Sequence, residues 1–150
     1  MKDETWRRHA NPWSVWTRFA AVPVFILSVW SRAWFGWWCL VPLALVIGWL
    51  VVNPGAFPPV DRPTSWSSRG IYGERMWLKD RKSLPHELKQ VLRLLAVTGG
   101  AGFALLVWGL VALQPWPTIF GATLIVFGQL WRIDRYTRLY DARLDNTVAQ

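Results

Sequence analysis

The sequence NPGAFPPVDRP at Asn53–Pro63 begins a polar segment that continues to SLPHELK at Ser83–Lys89. This segment separates two long apolar blocks, Ser14–Val52 and Val91–Ile133. Both blocks have the length and composition of membrane-crossing helices. Any chemistry beyond membrane anchoring would therefore have most room in the polar segment.

The composition favours an integral membrane protein of one structural unit. Charged residues make up 17% of the 150 residues, whereas soluble domains carry about 25%. The chain contains 13 Trp, a residue that prefers the boundary between lipid and water. The net charge is +8, and the cations flank the apolar blocks, so we expect anionic lipid headgroups rather than nucleic acid as their partner.

The chain shows no sign of a disulfide, a metal centre or a cofactor site. Its single cysteine, Cys39, lies in an apolar run and excludes an internal disulfide and a thiolate cluster. With only two histidines, zinc and haem are disfavoured, and we expect no metal and no cofactor. The polar, Trp-rich start MKDETWRRHANPW does not resemble a cleavable signal peptide.

The spacing of apolar runs and helix breakers predicts an all-α polytopic membrane protein, in which four transmembrane helices form two tight hairpins. One helix from Ser14 to Val52 would be about 58 Å long, too long for one crossing, so the chain must turn near Ser31 and Arg32. The second turn is predicted at QPWP, residues 114–117. The predicted helices cover about 14–31, 33–52, 84–113 and 117–144, and a structured cytoplasmic segment covers 53–83. Ser83 is the expected N-cap of the third helix.

The distribution of cations predicts the orientation in the cell membrane. Of the 17 Lys and Arg residues, all except Arg32 fall on the side of the termini and the central segment. The positive-inside rule places that side, and both termini, in the cytoplasm.

Small residues on the third helix suggest how the helices pack. Ala96, Gly100 and Ala104 recur every four residues, a spacing that allows close approach of two backbones. We expect this row to face Gly121 and Gly128 of the fourth helix; the alternative is a contact with another membrane protein or a second subunit. No Asp, Glu, Lys or His lies within the apolar core of a predicted span, which disfavours a transporter or channel.

The polar residues that could perform chemistry all lie near the predicted cytoplasmic face. A histidine near a carboxylate, with an arginine to bind phosphate, would suit acid–base work on a lipid headgroup. The candidates are His9, Asn11, Arg69, Glu74, His86, Asp134 and Arg135.

A structural explanation of the same residues is also open. Asn11 and Asn53 each precede a proline and are ordinary turn residues. Arg69, Glu74 and the Asp134–Arg135 pair could simply tie the central segment to the fourth helix.

The central segment is too apolar to stay solvated, and it is predicted to cap the inner ends of the helices. We expect Pro54–Pro63 to be extended and Gly73–Arg81 to form a short interfacial helix. Gly70 and Gly73, which flank Ile71 and Tyr72, suggest a sharp turn.

Several polar-aromatic strings resemble a family of small prokaryotic four-pass membrane proteins that is catalogued as a domain of unknown function. The strings are RHANPWSVWTRF (8–19), NPGAFPP (53–59), RGIYGERMWL (69–78), WPTIFGATL (116–124) and QLWRIDRYTRLYDA (129–142). The similarity covers nearly the whole chain. It implies a four-pass membrane protein and brings no activity, substrate or catalytic residue.

Two functions follow as hypotheses. The first is a non-enzymatic accessory or assembly component held in the membrane by its helices. The second is a membrane-embedded enzyme that acts on a lipid-like or phosphorylated substrate at the cytoplasmic interface. The second requires the seven candidates to converge on one cleft, and it is weakened if His9 and His86 share no pocket.

Overall fold

The computed structural model describes residues 3–81 and 84–148, and within these ranges the chain is helical without a β-strand. The all-α class predicted from the sequence is therefore confirmed. The helices are α1 (Asp3–His9), α2 (Pro12–Trp30), α3 (Arg32–Phe35), a 3-10 turn (Gly36–Cys39), α4 (Leu40–Ala56), α5 (Trp66–Lys79), α6 (His86–Ala112) and α7 (Pro115–Val148).

Helices α2 and α4 form the first hairpin. Asn11 caps α2, because its side-chain oxygen accepts a hydrogen bond from the Trp13 amide at 3.0 Å. The reversal begins at Ser31, as predicted, but it also includes α3 and the 3-10 turn, with Gly36 at φ 54° between them. The hairpin is antiparallel, since Ser14 at the start of α2 bonds to Asn53 at the end of α4.

The end of α4 corrects the predicted boundary of the central segment. We expected an extended chain from Pro54, but the helix continues to Ala56 and only residues 57–65 are irregular. Pro54 lacks the N–H that would bond to the carbonyl four residues earlier. Near a helix end, this loss affects a single hydrogen bond and does not stop the helix.

Helix α5 is longer than the sequence suggested. Ser65 caps it by accepting a hydrogen bond from the Ser68 amide at 3.1 Å, so the helix begins at Trp66 rather than near Gly73. The sharp turn predicted at Gly70 and Gly73 is wrong, because both residues lie within the helix.

Helices α6 and α7 form the second hairpin. The break predicted at residues 114–117 is present but lies slightly earlier, at Leu113 and Gln114, and Leu113 closes α6 in the left-handed conformation (φ 52°). Pro115 then begins α7, where a missing N–H costs nothing. The predicted cap Ser83 lies outside the described residues.

The close contact between α6 and α7 involves Gly121, as predicted, but its other glycines are not the predicted ones. A Cβ atom at Gly109 would overlap backbone atoms of Pro117 and Thr118, and one at Gly121 would overlap the backbone of Leu106. The predicted row, by contrast, is exposed at Ala96, Gly100 and Ala104, and a Cβ atom added at Gly128 would meet no atom within 4 Å.

The prediction that this row packs within the molecule is therefore wrong, although Gly121 does lie in the contact. Gly102 is the residue of α6 that faces Gly121. Two residues correspond to about 200° around a helix, which turns Gly100 and Ala104 away from the contact at Gly102.

The two hairpins touch mainly at their ends. Within the described residues, no Cα of α4 comes within 8 Å of a Cα in α6 or α7. At the turn end, defined as residues 31–39 and 113–114, the Arg32 guanidinium donates hydrogen bonds of 2.6 Å to the carbonyls of Leu110 and Val111. A cation at this position also complements the negative end of the α6 dipole.

By length and apolar composition, two stretches of the described chain could cross a membrane, Pro12–Ala56 and His86–Ala112. The first includes the whole α2–α4 hairpin. That the chain crosses four times stays a prediction.

Candidate functional site

The end of the molecule opposite the turns is covered by a cap, which we define as α1, residues 57–65 and α5. Gly70 and Gly73 let the α5 backbone lie directly on α7, because a Cβ atom at either position would overlap Ile133 or the backbone of Tyr136. The close approach of α5 to α7 explains why glycine occupies positions 70 and 73, where the sequence suggested a turn. It places Glu74, the next residue of α5, beside the polar part of α7.

A small apolar core joins the cap to both hairpins. It consists of Ala10, Val15, Ile71 and Ile133, which come from the start of the chain, α2, α5 and α7. Hydrogen bonds reinforce it: the Ser68 hydroxyl donates to the Ala10 carbonyl at 2.6 Å. The cap is therefore a packed part of the fold, and it fixes the walls of the cavities described next.

The first cavity, of about 370 Å³, lies between the cap, α2 and α7. One part of its wall is apolar and follows Phe19, Val22 and Ile125 along the helices. The polar part consists of His9, Arg18, Glu74, Gln129, Arg132 and Tyr136. A cavity with one polar and one apolar wall suits an amphipathic ligand.

His9 is held in its neutral form at this cavity. Its Nε2 atom lies 3.0 Å from a guanidinium nitrogen of Arg18, and since arginine only donates, Nε2 must accept and Nδ1 carries the proton. Burial, followed by the charge of Arg18, lowers the pKa of His9 to about 4. Nδ1 is buried without a hydrogen-bond partner among the described residues.

Glu74 is the carboxylate of the first cavity. Burial raises the pKa of Glu74, and the charges of Arg132 and Arg18 offset part of that effect. No cation of the described residues lies within 4.0 Å of its carboxylate oxygens, so these arginines act at longer range. Burial also raises the pKa of Tyr136 to about 12, which keeps its hydroxyl protonated.

A second cavity, of about 500 Å³, lies on the other side of Glu74, Arg132 and Tyr136. It is formed by the end of α5, the start of α6 and the middle of α7. Its further charged residues are all basic: Arg81, Lys89 and Arg93. The Arg81 guanidinium lies 4.0 Å from the ring centroid of Trp77, which also lines this cavity.

The structure brings His9 and Glu74 together but places the other five predicted site residues elsewhere. Asn11 serves as the cap of α2 and donates to the Pro58 carbonyl at 3.2 Å. His86, the exposed first residue of α6, lines neither cavity. His9 and His86 thus share neither of these cavities.

The charged candidates on α5 and α7 form ion pairs. Arg69 bonds to Asp141 at 3.1 Å, which ties the cap to α7 through a different partner than predicted. Asp134 bonds to Arg138 at 3.0 Å and lies 3.8 Å from Arg135. None of Arg69, Asp134 and Arg135 lines the first or second cavity.

Sequence reasoning missed the cavity arginines and the role of Asn53. No pattern in the sequence singles out Arg18, Arg81, Arg93 or Arg132 as a residue that lines a cavity. Asn53 is fully buried: it accepts from the Ser14 hydroxyl and donates to Thr17 Oγ1, each at 2.8 Å. A usable signal was present, since Ser14 and Thr17 lie three residues apart on one face of α2.

Comparison with known proteins identifies the family of this chain and nothing further. Residues 1–150 match the model of a family of unknown function, DUF6653. The chain belongs to this family. Membership in DUF6653 confirms the resemblance to a family of unknown function. It does not assign an activity to the chain. No curated protein and no solved structure matches the chain.

Proposed function

We propose that this DUF6653 protein is a four-span integral protein of the cell membrane that acts as a non-enzymatic accessory or assembly component. The observation that carries the proposal is how its polar residues are used. Asn53 holds α2 to α4, Asn11 caps α2, and Arg69 ties the cap to α7. These three polar residues thus stabilise the fold, and neither Asn11 nor Arg69 lines the cavity that holds His9 and Glu74.

The placement of the two hairpin turns supports four crossings. Arg32 links both turns at one end, while the cap and the polar second half of α7 lie at the other. Each of α2, α4, α6 and α7 therefore extends from one end toward the other. At about 1.5 Å per residue, the 17 residues of α4, the shortest, extend about 26 Å, which is close to the hydrocarbon thickness.

Exposed apolar side chains between the two ends support contact with lipid. Leu45 is 71% exposed and Phe103 is 63% exposed. Soluble monomers rarely leave large apolar surfaces uncovered. We take this surface as the face toward the acyl chains, with the basic cap in the cytoplasm by the positive-inside rule.

Cysteine labelling tests the topology. Thr64 in the cap and Gln114 in the turn end are both exposed, whereas neighbouring Ser67 is buried and would be a poor reporter. In a Cys39→Ala background, Gln114→Cys should react with a membrane-impermeant maleimide in intact cells. Thr64→Cys should react only after permeabilisation. Labelling of Thr64→Cys in intact cells would overturn the orientation.

A second candidate is an enzyme that acts on a lipid-like or phosphorylated substrate at the same interface. It is favoured by the first cavity, where His9 and Glu74 meet two arginines beside an apolar wall. Purification in mild detergent, with identification of bound lipids and proteins, separates the two. A stoichiometric protein partner supports the accessory function. A lipid that is retained by the unaltered protein and lost in Arg18→Gln supports the second candidate.

A further inference from the structure

We propose that the second cavity is a binding site for a phosphate-bearing anion, supplied either by the headgroup of an anionic phospholipid or by a soluble phosphate ester. The inference goes beyond the accessory role, and it does not depend on the number of membrane crossings. Four basic residues line this cavity, one from the segment after α5, two from α6 and one from α7: Arg81, Lys89, Arg93 and Arg132. Among the described residues that line it, Glu74 is the single carboxylate.

The arginines of this cavity differ from those elsewhere on the cap and α7. Outside the first and second cavities, Arg7 pairs with Asp61 at 2.7 Å, Arg143 pairs with Asp80 at 2.8 Å, and Arg75 pairs with Asp3. Within the described part of the chain, no carboxylate oxygen lies within 4.0 Å of Arg81, Arg93 or Arg132. Three arginines gathered in a concave site, with no carboxylate of the described residues within ion-pair distance, are an arrangement that an anion from outside the chain would satisfy.

Glu74 does not cancel this charge. The cations that lower the pKa of Glu74 are Arg132 and Arg18, which lie toward the first cavity or between the two. Arg81, Lys89 and Arg93, which line the second cavity and not the first, outnumber this one carboxylate. The part of the cavity formed by the end of α5 and the start of α6 therefore keeps an excess of positive charge.

The shapes of the side chains favour a phosphate group over a simple halide. Arginine presents a planar fork of N–H donors that matches two phosphate oxygens at once. The Arg81 guanidinium carbon lies 4.0 Å from the Trp77 ring centroid, a cation–π contact that restrains this guanidinium beside the cavity. Lys89 adds a point charge that tolerates different phosphate orientations.

Two variants and one matched control test the site on the full-length protein in a neutral detergent. Arg81→Gln and Arg93→Gln each remove one cavity cation. Arg138→Gln removes the same charge from α7, but Arg138 is exposed and already paired with Asp134. Circular dichroism and size-exclusion chromatography confirm that each variant keeps the fold.

The probes are dihexanoyl phosphatidic acid and inorganic phosphate, with dihexanoyl phosphatidylcholine as the zwitterionic comparison, and binding is measured by thermophoresis. We expect saturable binding of the anionic probe, weakened about tenfold or more in Arg81→Gln and Arg93→Gln and unchanged in Arg138→Gln. Binding of phosphatidic acid without inorganic phosphate identifies the lipid headgroup as the source. Equal binding of both identifies a soluble phosphate ester.

The proposal is overturned if neither anionic probe binds saturably, or if Arg138→Gln weakens binding as much as Arg93→Gln does. The latter result would indicate general attraction to a basic surface. Since the measurement is made in detergent, its failure leaves the cysteine-labelling result for topology intact. A failed topology test likewise leaves the anion site standing.

Discussion

The two hairpins of this protein are held together by different kinds of contact. In the α2–α4 hairpin, buried Asn53 bridges the hydroxyls of Ser14 and Thr17. In the α6–α7 hairpin, Gly109 and Gly121 allow backbone-to-backbone approach instead. Lipid tails are as apolar as leucine, so membrane helices associate through such hydrogen bonds or through close packing. This chain uses one of these mechanisms in each half.

The difference explains where the first cavity lies. Tight packing makes α6 and α7 one rigid unit, and α5 is fixed on it through Gly70 and Gly73. The first hairpin joins this unit at the turn end through Arg32 and at the cap end through the small apolar core. Between these joints, α2 and α7 leave the first cavity open.

The largest expected effect comes from blocking the close approach in the second hairpin. Gly121→Ala would push a methyl group into the backbone of Leu106 and should lower the free energy of unfolding by about 3 kcal/mol. Gly128→Ala, on the same helix, meets nothing within 4 Å and should have little effect. Thermal unfolding in detergent measures both. Similar losses in the two variants would show that backbone approach does not hold this hairpin.

The second prediction concerns His9, which lines the first cavity between the cap, α2 and α7. The pKa of His9 falls from an ordinary 6.5 to about 4 on folding, so the neutral ring contributes stability that is complete above pH 6.5. That stability is lost as the pH falls toward 4, by at most about 3 kcal/mol. The free energy of unfolding is measured between pH 6.5 and 4 for the unaltered protein and for His9→Gln. The variant should lack the part of the pH dependence that is due to His9.

The other histidine supplies a matched substitution. His86 is exposed at the start of α6, so His86→Gln shows how much the removal of any imidazole changes the free energy of unfolding at neutral pH. If His9→Gln keeps the pH dependence of the unaltered protein between pH 6.5 and 4, burial of the neutral His9 ring does not cause that dependence.

The third prediction tests the polar contact of the first hairpin. Asn53→Ala leaves the Ser14 and Thr17 hydroxyls without their buried partner and should cost about 1–2 kcal/mol. Ser14→Ala should cost less once Asn53 is already replaced, because the two side chains share one hydrogen bond of 2.8 Å. A double-mutant cycle measures this coupling. Strict additivity would mean that the α2–α4 hairpin is held by apolar packing.

The smallest effect on stability is expected at an exposed ion pair that belongs to neither hairpin contact. Arg138 forms an exposed pair with Asp134 along one face of α7. Arg138→Gln should change the free energy of unfolding by less than about 0.5 kcal/mol. A larger loss, measured in the same unfolding assay, would show that surface ion pairs contribute as much as the helix contacts compared above.

Much of the fold could be predicted because the signals are local. Pro12, Ser31 and Pro115 mark helix ends wherever they occur between apolar runs, and the observed helices begin or break within a few residues of them. The same local reasoning failed for Gly70 and Gly73. A glycine that permits a turn and a glycine that permits close helix packing look alike in a sequence.

The candidate site was less accessible to such reasoning. His9 and Glu74 were singled out separately, but the arginines that accompany them, Arg18 and Arg132, look like ordinary cations at the ends of apolar runs. Asn53 precedes a proline, which is typical of a turn, and only its partners on α2 reveal that it is a buried bridge.

By itself, the sequence determined the helical class, the polar segment between two apolar blocks, and the points where the chain breaks, because hydropathy and breaker residues act over a few neighbours. The tertiary structure alone decided which small residues pack. Gly100 and Gly102 differ only in the direction they face, and that direction depends on how α6 is rotated against α7. It also decided which arginines have no carboxylate partner among the described residues, because residues far apart along the chain meet only after the hairpins and the cap have packed.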